Sequence, residues 1–176
     1  MKRDGRLLTA LLVASLAGSA PTLAASDVVA AQLNGYKQIP ATLNSTGSAT
    51  FVARVSDDGT SIQYELSYGG FPTMVTQSHI HFGGPATSGG IALFLCTNLG
   101  NAPAGTAVPS CPPQPATVTG TLTATDMVAI AGQGLGGGAA GFAEILKAIR
   151  AGAAYVNVHT VQYPPGEVRG QTRSDD

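Results

Sequence analysis

Two consecutive runs of this chain alternate apolar and polar residues with a strict period of two, and that alternation limits the fold more than any other feature. Ile62, Tyr64, Leu66 and Tyr68 alternate with Ser61, Gln63, Glu65 and Ser67. Just before them, Ala49, Phe51, Ala53 and Val55 alternate with Thr50, Val52 and Arg54. Successive side chains of a β-strand point to opposite faces, so each run has one face to bury. The intervening Ser56-Asp57-Asp58-Gly59-Thr60 carries an Asp-Gly turn signal, which predicts an antiparallel hairpin. Further strands are expected over residues 28–33, 77–82, 91–95 and 117–123. Residues 155–160 and 167–172 should form a closing hairpin that turns at Pro164-Pro165-Gly166. Phe142, Ile145, Leu146 and Ile149 instead recur at helical spacing, with Gly152 placed to end a short amphipathic helix. Many short strands, frequent turn signals and one helix predict an all-β fold, an antiparallel β-sandwich or barrel.

The amino end reads as a targeting segment. Lys2, Arg3 and Arg6 precede an apolar stretch over residues 7–17, which is short for a bilayer span. Small residues follow, and cleavage is expected after Ala24, with Ala25 as the near alternative. Residues 1–24 are therefore expected to be a signal peptide and residues 25–176 a single exported domain, periplasmic or secreted, with no membrane span of its own. Three positive charges and one negative leave with the leader, moving the formal net charge from -1 to -3. That balance does not favour nucleic acid or an anionic membrane surface. Only 11% of residues are charged, which suits a turn-rich exported β-protein rather than a charge-laden one.

Cys96 and Cys111 are the two cysteines. An even pair in an oxidising compartment favours a disulfide, here across a proline- and glycine-rich loop, contributing roughly 3 kcal/mol on the chain-entropy model. The alternative is that one of them serves as a metal ligand. The glycine-rich residues 132–138 lack the Gly-Lys-Ser/Thr ending of a phosphate loop and have no strand–helix alternation around them.

The chain has three histidines, and two of them form His79-Ile80-His81. On a strand, side chains at i and i+2 share a face, so His79 and His81 should project together with Ile80 turned away. His159 lies in the expected strand over residues 155–160 and would complete a three-nitrogen site from a neighbouring strand. Imidazoles suit copper, zinc, nickel or iron; a set of nitrogen donors alone points to copper(II) or zinc, and copper is the expected occupant with zinc as the alternative, one ion per chain. Three protein ligands leave a coordination position open. Glu167 is the nearest carboxylate and is a candidate fourth ligand or orienting group; the alternative is a surface ion pair with Arg169. Asn157 shares a face with His159 and either orients it or serves packing. Tyr36, Tyr64, Tyr68 and Tyr155 are expected in the core. The competing account of the histidines is structural: their rings hold a glycine-rich loop by hydrogen bonds to its backbone.

These residues also carry a family resemblance. Leu33-Asn34-Gly35-Tyr36-Lys37-Gln38-Ile39-Pro40 with Gly47-Ser48-Ala49-Thr50-Phe51 resembles the opening of a CHRD domain, the module named after chordin. Ser78-His79-Ile80-His81-Phe82-Gly83-Gly84 resembles its central motif. Residues 155–160, followed by Tyr163-Pro164 and Gly166-Glu167-Val168-Arg169-Gly170-Gln171, resemble its closing one. Gln38 departs from a position where the family more often has Glu, and the insert around Cys96 and Cys111 is no motif of the family. The resemblance implies a β-sandwich and little about activity. The His-x-His strand with its glycine-rich loop, and the later Val-x-Val-His, are similar to the copper ligands of copper-zinc superoxide dismutases. This chain has no bridging fourth histidine, and residues 83–90 hold no His or Asp, so a bimetallic dismutase is excluded.

No nucleophile elbow and no paired carboxylates are visible, so no catalytic residue is assigned and a binding role stands ahead of an enzymatic one. Three readings remain: a protein that binds one transition metal ion; a non-catalytic adhesion or ligand-binding module with structural histidines, its protein or glycan partner unassigned; and a mononuclear copper oxidoreductase.

Overall fold

The alternating runs bury the faces they promise. In a computed structural model, which describes Met1 and residues 27–174, β2 (Ser48–Val55) turns Ala49, Phe51, Ala53 and Val55 inward, and β3 (Ser61–Gly69) turns Ile62, Tyr64, Leu66 and Tyr68 inward. The two strands pair antiparallel from Ser48↔Gly69 to Val55↔Ile62, closed by the expected Asp-Gly turn. Apart from Met1, the expected leader lies outside the described residues.

The remaining elements are β1 (Val28–Leu33), β4 (Val75–Phe82), β5 (Gly90–Thr97), β6 (Ala116–Thr123), α1 (Gly138–Arg150), β7 (Ala154–Thr160), β8 (Val168–Gln171) and the short β9 (Arg173–Ser174). They form two antiparallel sheets, ordered β6-β3-β2-β1-β9 and β5-β4-β7-β8. This is a sandwich; the sheets do not close into a barrel. Between them pack Phe51, Ile62 and Leu66 from one sheet and Ile80, Leu93, Leu95, Val156 and Val158 from the other. Tyr64 spans the two layers, its hydroxyl donating to the Leu95 carbonyl at 2.6 Å. That bond answers the cost of a buried phenol, as Tyr68 does through the Pro112 carbonyl at 2.6 Å. The helix buries Phe142, Ile145, Leu146 and Ile149, the residues its spacing singled out, and Gly152 follows its end at φ +65°. Cys96 and Cys111 form a buried disulfide.

β7 departs from simple alternation, since all seven of its residues are buried. One face of β4 and β7 enters the sandwich core. The other is roofed by loops instead of water, and it carries the polar residues. The loop after β4 is tied down by Arg169, which donates to the carbonyls of Thr87 (2.9 Å) and Gly84 (2.8 Å). The segment after β1 is tied down through an Asn34–Arg169 bridge and a Gln38–Asn157 hydrogen bond of 3.2 Å. At the corner where β8 meets β1, a Cβ on Gly170 would stand 2.5 Å from the Gln32 carbonyl oxygen, so only glycine permits that approach.

Ile80 separates the two faces cleanly, being fully buried on the core side between two histidines on the other. Ile80→Val is expected to cost about 0.5–1.5 kcal/mol in chemical denaturation. It should leave the histidine face, and any metal stoichiometry measured there, unchanged.

Candidate metal centre

The pleat of β4 places His79 and His81 side by side, with ring centroids 5.5 Å apart. β7 brings the third ring: His159 pairs with Gln77 and Asn157 with His79, so His159 lies diagonally across from His79. Their ring centroids are 5.0 Å apart, and His81 and His159 are 6.2 Å apart. One nitrogen from each ring lies within 4.8 Å of the other two, and all three residues are buried. The three histidines that stood on two expected strands therefore converge.

Their hydrogen bonds assign the protons. A carbonyl only accepts, so His81 Nδ1 carries the hydrogen it gives to Gly89 O at 3.0 Å. His159 Nδ1 likewise donates to Pro164 O at 2.8 Å. The Nε2 of each is thereby unprotonated and can only accept. His159 Nε2 sits 3.2 Å from His79 Nδ1, which must then be the donor, and His79 Nε2 is unprotonated as well. The Nε2 atoms of His79 and His81 are buried and have no hydrogen-bond partner. Two unpartnered acceptors in one dry cluster are costly unless something occupies the space between them.

Burial keeps the rings neutral. His79 is pushed down to about 2, first by desolvation and then by the neighbouring His159 and His81. His81 is pushed down to about 4 by desolvation, against the raising effect of its bond to Gly89. His159 is lowered too, by desolvation, with its Pro164 bond opposing. Neutral imidazole is the form that ligates metals. His79 and His81 offer unpartnered Nε2 atoms, and His159 offers an Nε2 that accepts from His79 Nδ1. Three such nitrogens, with the His81 and His159 rings oriented by carbonyls, fit a transition metal ion with affinity for nitrogen once the His79–His159 bond is given up.

The walls are aromatic. Phe94 meets His79 edge-on at 4.4 Å, and Tyr155 lies parallel to His81 at 4.7 Å with 3° between the planes. Arg169 caps the far side of Tyr155, its guanidinium carbon 3.5 Å from the ring centre. Tyr155 and Arg169 are the neighbours that sequence reasoning assigned elsewhere. The signal was present: Tyr155, Asn157 and His159 recur at i, i+2 and i+4, which puts the tyrosine on the histidine face.

Three expectations are corrected or refined. Glu167 does not pair with Arg169 at the surface. It is fully buried, and its carboxylate accepts from Ser45 Oγ at 2.5 Å and Thr160 Oγ1 at 2.6 Å. The β8 ladder begins at Val168, so strand alternation does not reach Glu167 and does not place it beside Arg169. It stands outside the three-histidine cluster. Tyr36 is 71% exposed, because it sits in a tight turn after β1, where no strand face turns it inward. Asn157 serves packing, accepting from Gln38. Glu167→Gln is expected to lower stability by about 1–3 kcal/mol in denaturant titration, because an amide nitrogen cannot accept from a hydroxyl.

A family model described as the CHRD domain matches residues 29–172. Neither the curated proteins nor the solved structures give a significant match.

Proposed function

The chain belongs to the CHRD domain family, and from that premise we propose that it is an exported protein binding one transition metal ion, copper, through His79, His81 and His159. The observation that carries the reading is the pair of buried, unpartnered Nε2 atoms on His79 and His81, in a cluster that His159 completes. A purely structural role accounts for the Nδ1 bonds to Gly89 and Pro164 but leaves these lone pairs unexplained. A ligand role uses both ends of the His81 and His159 rings, since a metal-bound histidine ordinarily donates its other N–H to a carbonyl or carboxylate, as these two do to Gly89 and Pro164.

Copper is favoured over zinc because divalent copper binds a given nitrogen site more tightly than the other first-row ions, and the cluster has no thiolate or carboxylate among its members. The three rings leave a fourth position for water or a small ligand. Export is supported by the Cys96–Cys111 disulfide, a bond of oxidising compartments, and by the basic-then-apolar amino end. No helix among the described residues is long and apolar enough to cross a membrane.

Elemental analysis and copper(II) titration followed by electron paramagnetic resonance test the proposal directly. The expected result is one copper per chain with nitrogen hyperfine structure. In His81→Ala the affinity should fall by more than about 100-fold, beyond what outer partners of a ligand contribute. Absence of bound copper and zinc from both proteins would sink it.

A further inference from the structure

Away from the histidines, a groove of about 930 Å³ runs between β1, the segment that follows it, and the β8–β9 edge. That size suits a small molecule or a few sugar rings. Its lining is charged with one sign. Lys37, Arg169 and Arg173 all line it, while no Asp or Glu among the described residues does. The whole chain is mildly acidic, at -1, so the cations are segregated here. None of the three makes an ion pair with a carboxylate among the described residues. Lys37 and Arg173 repel each other: the lysine is held below its usual range by burial and then by that arginine. Arg169 is only 2% exposed, and carbonyls and an aromatic ring hold its guanidinium, so it adds positive potential to the groove rather than a free donor. Like charges gathered without a counter-charge await an anion.

Two further features narrow the anion's class. The ring of Tyr36 stands 71% exposed at the groove, a large flat apolar surface of the kind that stacks on a sugar face. Gln32 and Gln171 add amide groups suited to hydroxyls. Gln171 Nε2 is committed inward, to the carbonyls of Gly83 and Gly152, which leaves its oxygen as the acceptor. An extended peptide would instead be read through main-chain bonds to a free strand edge. Here the β8 edge is taken at Arg169, which exchanges both backbone bonds with Asn34.

We infer that this groove binds an acidic oligosaccharide, a few sugar rings bearing carboxylates, with Tyr36 as the stacking platform and the exposed Lys37 and Arg173 as the carboxylate contacts. Bidentate pairing to arginine supplies the charge recognition, and rising salt weakens it. The inference does not rest on the metal reading, since Tyr36, Lys37 and Arg173 belong neither to the three histidines nor to the aromatic wall around them.

Calorimetric titration of the purified protein with a panel of uronate tetrasaccharides tests it, alongside their neutral methyl esters and an oligoglutamate peptide of equal charge. The expected result is saturable binding of at least one uronate, one site per chain, weakened by salt. The methyl esters and the peptide should not bind. Affinity should drop by at least about tenfold in the double variant Lys37→Gln/Arg173→Gln and again in Tyr36→Ala. These side chains are exposed, so melting temperatures should stay at the parent value and a loss of binding would not be a loss of fold. No binding by any uronate would overturn the inference. So would equal binding of oligoglutamate with Tyr36→Ala unaffected, an outcome that would make the groove an acidic-peptide surface.

Discussion

Lowering the pH from about 7 to about 4 is expected to strip the metal-free protein of several kcal/mol of stability. The histidine cluster is the source. In the unfolded chain these imidazoles titrate near 6.5, while in the fold His79 is pushed down to about 2, His81 to about 4, and His159 is lowered as well. Below 6.5 the unfolded chain therefore takes up protons that the folded protein refuses. The stabilisation is complete above the unfolded value and is lost as the pH falls through it towards each folded one. Each histidine that stays neutral contributes a slope of up to about 1.4 kcal/mol per pH unit. For His81 alone the loss by pH 4 is on the order of 3 kcal/mol, and its contribution then flattens, whereas that of His79 continues downward. Melting temperature and denaturant midpoint across this interval measure the effect. A level profile would mean that the rings are hydrated rather than buried. Bound metal should raise the whole curve, because ligation stabilises the folded state alone and requires the neutral ring.

That acid sensitivity follows from a feature only partly readable in the chain itself. The β2–β3 hairpin was legible because its two strands are half-buried: one face meets the core, the other meets water, and period-two alternation records the difference. The His79–His81 pair was legible from the pleat alone, which sets i and i+2 on one face, and with it the assignment of Ile80 to the core. β7 obscures the rule, since Tyr155, Asn157 and His159 are buried on the face opposite Val156 and Val158. What buries them is not a neighbouring element with its own periodicity but three loops, and loop paths leave no repeat in a sequence. The Ser45 hydroxyl that meets Glu167, and the carbonyls of Gly89 and Pro164 that orient the imidazoles, come from such segments. A carbonyl carries no residue signature at all. Tyr36 misled for a related reason: an aromatic next to a strand was assigned to its buried face, although a tight turn had already ended the strand.

The glycine-rich loop over residues 83–90 is where that hidden contribution can be tested sharply. Gly89 holds the centre from two directions: its carbonyl accepts from His81 Nδ1, and its N–H donates to the Tyr155 hydroxyl at 3.1 Å. A Cβ at Gly89 would lie 1.8 Å from the carbonyl oxygen of Phe82 and 2.6 Å from its carbon. Phe82 ends β4, and its carbonyl is also held by Gln133 Nε2 at 3.0 Å, so the obstacle is fixed backbone and the loop must be the part that moves. Gly89→Ala is therefore expected to displace the acceptor that sets the His81 tautomer and the hydroxyl contact that keeps Tyr155 parallel to His81. Copper affinity should fall by about 10–100-fold, the cost of losing a partner that orients a ligand. Stability should fall by about 1–3 kcal/mol from the forced backbone shift. Gly84→Ala is the matched control, since a Cβ there meets nothing within 4 Å, although its carbonyl also helps to bind the loop. It should stay within about 0.5 kcal/mol of the parent and retain its copper affinity. If Gly89→Ala bound copper as the parent does, the loop would be a cover without influence on the histidines. If both variants lost affinity equally, general loosening of the loop would be the cause, and not the one carbonyl that faces His81.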